Sequence, residues 1–161
     1  MERSARWVVA STIIALVATV PSRPSPALAA ASTTQTDHFA GISESTPYPN
    51  PCSGIPSELR ETWGGIVHDT FRASGDWMDV NAIRGTISFV PDDPSQPSYS
   101  GRFTQVFGSV NNHHTYGERG TFSGSLTGTD GSTVRMREDV HVSVSATGVT
   151  VEFDNVSLTC S

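Results

Sequence analysis

The sequence contains no lysine, and its ten basic residues are all arginine. Sixteen acidic residues oppose them, for a formal charge of −6. Without a basic patch to follow phosphates or anionic headgroups, nucleic acid and anionic lipid are excluded as expected partners. Helix is missing as well: no segment repeats its apolar residues every 3.6 positions over a helical length. Gly-rich phosphate loops, dinucleotide fingerprints and calcium loops are absent, so no cofactor is implied. His68 and His141 can be drawn on paper with Asp69 or Asp139, but no Gly-x-Ser-x-Gly elbow supplies a serine, which excludes a hydrolytic triad of that kind. Cysteine is scarce, with Cys52 and Cys160 alone.

Only one long apolar run exists, the 14 residues Trp7 to Val20. It is too short for a comfortable membrane span. Arg3 and Arg6 precede it; Pro21, Pro24, Pro26 and the small-x-small Ala27-Leu28-Ala29 follow. Residues 1–29 therefore read as a secretory signal peptide, and the protein as secreted, with no membrane association after cleavage. Removing Arg3, Arg6, Arg23 and Glu2 leaves seven arginines and fifteen acids, a charge of −8. Such a balance also serves as a solubility device and does not itself name a cationic partner. Two cysteines in an exported chain are expected to pair. They lie near the ends of the predicted domain, and a bridge of that span is worth roughly 4–5 kcal/mol. A two-cysteine metal site or a reactive thiol is the alternative, one that an oxidising compartment disfavours.

Thr133 to Ser145 is the clearest strand. Val134, Met136, Val140, Val142 and Val144 share one parity; Arg135, Arg137, Asp139, His141 and Ser143 share the other. A period of two is the mark of a strand with one dry face. Five further runs resemble it: 63–72, 77–90, 99–110, 118–129 and 149–160. Between them stand Ala73 to Asp76, Pro91 to Pro97, a polar loop Asn111 to Gly117, the Asp130-Gly131 hairpin signal and Ala146 to Gly148. The last run changes phase, which predicts a bulge near Asp154-Asn155. Residues 30–49 show no periodicity and read as a flexible segment. Ser57 to Glu61 has the length of a single helical turn. Short connections mean antiparallel neighbours, hence a meander. Glycines 65, 85, 101, 120, 124 and 128 all fall on the apparent inner face, as a curling sheet requires. The expectation for residues 50–161 is one all-β domain, a meander of six to eight strands closed into a small barrel, with a β-sandwich as the alternative.

Asn50-Pro51-Cys52-Ser53-Gly54 and the closing Thr159-Cys160 resemble the lead-in and tail of a group of small secreted actinobacterial proteins of unassigned activity. Gly65-Ile66-Val67-His68 and Asp130-Gly131-Ser132 are similar to marks of the same group, while Ile55-Pro56 departs from the Glu that often follows there. The resemblance implies a compact barrel-like fold and a Cys52–Cys160 bridge. It carries over no residue with a chemical role.

Three polar residues sit in the apolar register: Asp69, Gln105 and Glu138. A buried carboxylate must be paired, hydrated or protonated. With Phe103 and Phe107 they are the candidate ligand-binding residues of an interior site, Glu138 being the candidate acid or base. The bland reading pairs each one structurally, Glu138 with an arginine. Asn111 to Tyr116 with Glu118 is a second lead, but His113 and His114 point apart in an extended chain, which weakens a metal site there. Asp92-Asp93 reads as a solvated acidic turn, and Asn155-Val156-Ser157 matters as a glycosylation sequon only in a eukaryotic host.

These features predict a monomeric secreted binding module. Its ligand is a small apolar or amphiphilic molecule inside, or an extracellular partner at the rim. Two alternatives accompany it: a small-barrel enzyme of the cyclase or isomerase type using Glu138 or Asp69 with Phe103, Phe107 and Phe122, and an interaction or inhibitor protein working through Trp77, Tyr116 and the Pro91–Pro97 loop.

Overall fold

The computed structural model describes residues 32–112 and 114–161; the expected leader at residues 1–29 and His113 lie outside them. Seven strands form: β1 (Thr33–Pro47), β2 (Ser57–Phe71), β3 (Trp77–Pro91), β4 (Tyr99–Asn111), β5 (Thr115–Gly128), β6 (Thr133–Ser145) and β7 (Gly148–Cys160). They pair in chain order as one antiparallel sheet. A sandwich would need a second sheet, and the described residues form a single one.

The expected closure into a hydrogen-bonded barrel is not found: β1 and β7 are not neighbours in the ladder. The physical reason lies in the edges. Buried apolar side chains come only from β2 to β6. The inner positions of β1 include Asp37 and Glu44, and those of β7 include Glu152 and Asp154. Both edges thus carry inner carboxylates that no strand arginine on that face neutralises, which disfavours closing the seam.

Leu59, Ile83, Ile87, Phe89, Tyr99, Phe103, Phe122, Leu126 and Val134 form the core, all on one face of the sheet. No second layer of strands or helices covers that face among the described residues, so the sheet coils round its own core. Two inner glycines permit the coil. A Cβ on Gly85 would stand 2.8 Å from Trp63 Cβ and 2.9 Å from Phe103 Cε1. One on Gly101 would stand 2.7 Å from Leu126 Cα and collide with the Ser125 carbonyl oxygen. Gly101→Ala is therefore expected to lower the unfolding free energy by about 1–3 kcal/mol, because backbone on β5 must move. Urea unfolding checks it, and an unchanged midpoint would contradict the close approach.

The link between β1 and β2 plugs one end. Asn50 is buried, and its Oδ1 accepts hydrogen bonds from the amides of Cys52 (2.9 Å) and Ser53 (3.1 Å). Gly54 closes the turn at a φ of 71°, a conformation glycine adopts without penalty. The Asn-Pro-Cys-Ser-Gly motif is thus a side-chain-capped turn that presents Cys52 to Cys160, and the two are disulfide-bonded with Cα atoms 6.0 Å apart.

Several local expectations change. The segment read as flexible supplies β1, whose side chains apart from Phe39, Ala40 and Ile42 are mostly polar on both faces, so it shows little alternation. Its ladder with β2 holds it instead, with a bulge between Phe39 and Ile42 at Gly41, φ 71°. Ser57 to Glu61 opens β2 rather than turning as a helix. The polar loop at 111–117 shrinks because Asn112 Oδ1 accepts from the amides of His114 (3.0 Å) and Thr115 (2.8 Å), so β5 starts at Thr115. No bulge occurs at Asp154-Asn155; the register shift lies at Val149–Val151. Val151 and Phe153 simply face outward, and Phe153 meets His141 edge-on at 5.7 Å.

Candidate functional site

Alternation places every strand residue on one of two faces, and the ladder tells which residues share one. The inner face carries Asp37 and Glu44 of β1, Glu61 and Asp69 of β2, and Asp79 of β3. Glu118 of β5, Glu138 of β6, and Glu152 and Asp154 of β7 join them. The arginines go the other way: Arg60, Arg84, Arg102, Arg119, Arg135 and Arg137 all fall on the outer face. Both ion pairs found among the described residues, Arg60–Glu58 and Arg137–Asp139, are there too. Charge is therefore segregated across the thickness of the sheet. No arginine of any strand neutralises an inner carboxylate.

Glu138 shows the consequence. Its direct neighbours across the ladder are Phe122 on β5 and Val156 on β7. The side chain is 6 % exposed, and its Oε1 is buried with no hydrogen-bond partner among the described residues. Burial raises its pKa from the ordinary 4.5 to about 7, and the Asp154 carboxylate pushes the same way. The arginine pairing considered for it from sequence is not found among the described residues. The Tyr48 phenol is raised in turn, by burial and then by the charge of Glu138. Tyr48 comes from the plugging segment and packs against the core, so Glu138 lies between a phenol and a carboxylate on an apolar floor.

A second polar group occupies the end of the sheet farthest from the disulfide. One register row reads Gln35, Asp69, Asp79, Ser109, Glu118, Val142 and Glu152 from β1 to β7. Asp79 and Ser109 are buried, and the Ser109 hydroxyl donates to Asp79 Oδ1. Asn81, one inner position along β3, donates Nδ2 to Asp79 Oδ2 at 2.8 Å. Asn81 is 4 % exposed, and its Oδ1 has no hydrogen-bond partner among the described residues. Asp69 faces Asp79 directly across the β2–β3 ladder. Its pKa is raised by burial first, then by Asp79 and Asp37. Tyr116 donates to Glu118 Oε2 at 2.7 Å, and burial with that bond raises the phenol.

Of the residues read from sequence, Gln105 and Glu138 share one register row, separated by Phe122. Asp69 lies four strands along the sheet from Glu138 and two inner rows away from the Gln105–Glu138 row. Phe103 and Phe122 stack at 5.6 Å inside the core. Phe107 is half-buried and lies opposite Asn81. A shallow depression of about 370 Å³ lies between β3 and β4 at Thr86, Ser88, Ser100 and Arg102, on the outer side. His68 hydrogen-bonds Thr36 at 2.8 Å and His141 packs on Phe153, both outside, so neither pairs with Asp69 or Asp139. No three His, Cys, Asp or Glu side chains are grouped for a metal ion among the described residues. Trp77 and Tyr116, through which an interaction protein would work, are half-buried in the inner register.

Asp79, Asn81, Ser109 and Asp154 went unread. Extending the Ile83, Gly85, Ile87, Phe89 parity back by two steps names Asn81 and Asp79. The Phe103, Gln105, Phe107 parity names Ser109. Fold and site together define a single-sheet, disulfide-pinned β domain with an acidic inner face. Comparison of the chain with protein-family models, curated proteins and solved structures returns no match.

Proposed function

We propose that this is a secreted binding module that takes a small ligand against the inner face of its coiled sheet. The leader pattern and the disulfide support export. The observation that carries binding is Glu138: a buried carboxyl with an unsatisfied oxygen, beside apolar side chains that remain accessible on the β7 side. An unsatisfied buried acceptor costs about 1–3 kcal/mol, which a donor on a ligand can recover. Val156, 44 % exposed, and Leu158, 41 % exposed, extend the inner apolar surface along the open edge.

Nile red, a neutral apolar dye, tests the face. Val156 and Val151 lie on the same edge strand, similarly exposed, but on opposite faces. Val156→Asp is expected to weaken the dye response about tenfold, the loss of roughly one apolar contact site, and Val151→Asp to leave it unchanged. Equal effects of the two substitutions, or no dye response at all, would overturn the reading.

The raised carboxyl of Glu138 favours a second reading, an isomerase- or cyclase-type enzyme with Glu138 as general acid or base, since a pKa near 7 suits proton transfer at neutral pH. Loss of turnover in Glu138→Gln with ligand binding retained would select it over simple binding.

A further inference from the structure

We infer that the ligand of the inner face is an amphiphilic primary amine whose ammonium group docks between Asp69, Asp79 and Asn81. This rests on the proposal that the inner face binds at all, and adds the chemical class. Two independent observations support it. The first is charge: every strand arginine is outside, and the inner carboxylates have no basic side chain among the strands to neutralise them. Asp69 and Asp79 face each other directly, a pairing that like charges make unfavourable until a cation sits between them. The second is Asn81. Its amide is oriented by the bond from Nδ2 to Asp79 Oδ2, and its buried Oδ1 is left without a donor among the described residues. An ammonium carries three donors, enough for Asn81 Oδ1 and the two carboxylates.

The geometry also supplies a seat for an alkyl body. In the next register row Val67 and Phe107 flank Asn81 on β2 and β4, both half-buried. A chain leaving the ammonium toward the core would lie on them. A divalent metal is the poorer occupant, because no group of three ligating side chains is assembled among the described residues.

The test is a comparison of n-octylammonium chloride, 1-octanol and sodium octanoate, each titrated at neutral pH and low salt and followed by amide chemical shifts. The expected result is that octylammonium binds at least about tenfold tighter than octanol, and octanoate weakest. Asp69→Asn, at a partly exposed position, is expected to cut octylammonium affinity about five- to tenfold and to leave octanol unaffected; Asp79→Asn should act in the same direction. Equal affinity for octylammonium and octanol at inner-face amides would overturn the ammonium assignment and leave the binding surface standing. A cation preference that survives Asp69→Asn and Asp79→Asn would overturn the docking point. If none of the three probes moves inner-face amides, the inference and the binding reading both fall.

Discussion

Replacing both bridge cysteines, Cys52→Ala with Cys160→Ala, is expected to lower the unfolding free energy by about 5 kcal/mol. The bridge closes a loop of 108 residues, and the chain-entropy relation for that length gives this magnitude. For a domain of this size the loss corresponds to a fall in Tm of roughly 15–25 °C. The effect should be large here for a further reason. β7 is a fully exposed edge strand, held by one ladder with β6 and by Ser161, which exchanges backbone hydrogen bonds with Thr133 at 2.6 and 3.0 Å. Through Cys160 it is also tied to the turn that plugs the core. Without the bridge, amides of β7 should exchange fastest, ahead of those of β3 and β4. A calorimetric Tm within a few degrees of the native protein would show that the ladder alone suffices.

Glu138→Gln is expected to stabilise the protein at pH 8 by about 1–3 kcal/mol. The folded-state pKa is raised from 4.5 to about 7. Below pH 4.5 the group is protonated in both states and contributes nothing. Between 4.5 and 7 the folded state holds a proton that the unfolded state has released, so stability falls as pH rises. Above 7 the full cost of ionising a buried carboxylate is present. The magnitude is set below the full pKa difference to allow for residual solvent screening. Asp69 and Glu61, also raised by burial, give slopes of the same sign, so the decisive quantity is the difference between native protein and variant. Urea unfolding from pH 4 to 9 measures it. The two curves should converge below pH 4.5 and separate through neutrality; parallel curves would remove Glu138 from the buried carboxylates.

Strand content was legible wherever one face is apolar. Val134, Met136 and Val140 announce β6 without help. β1 was not legible, because Thr, Gln, Asp, His and Ser alternate with one another and carry no contrast. The same blindness hid the site. Asp79 and Asn81 lie on the inner parity of β3, yet polar residues at the start of a strand look like a fraying end. Only their neighbours across the ladder, Asp69 and Ser109, show that they form a buried group. Phe103 was placed inside by parity alone, and its stacking on Phe122 is a long-range contact that parity does not reach.

By itself, the sequence determined an all-β antiparallel meander, the turn that carries Cys52, and the parity of Glu138. These depend on local rules: alternation, turn chemistry, and glycine where backbones come close. Tertiary structure decided that the sheet stays unclosed, that the strand arginines all face outward while nine strand carboxylates face inward, and that Glu138 Oε1 has no hydrogen-bond partner among the described residues. Each of those depends on the register between strands, which brings together residues far apart in the chain and lies beyond the reach of any local pattern.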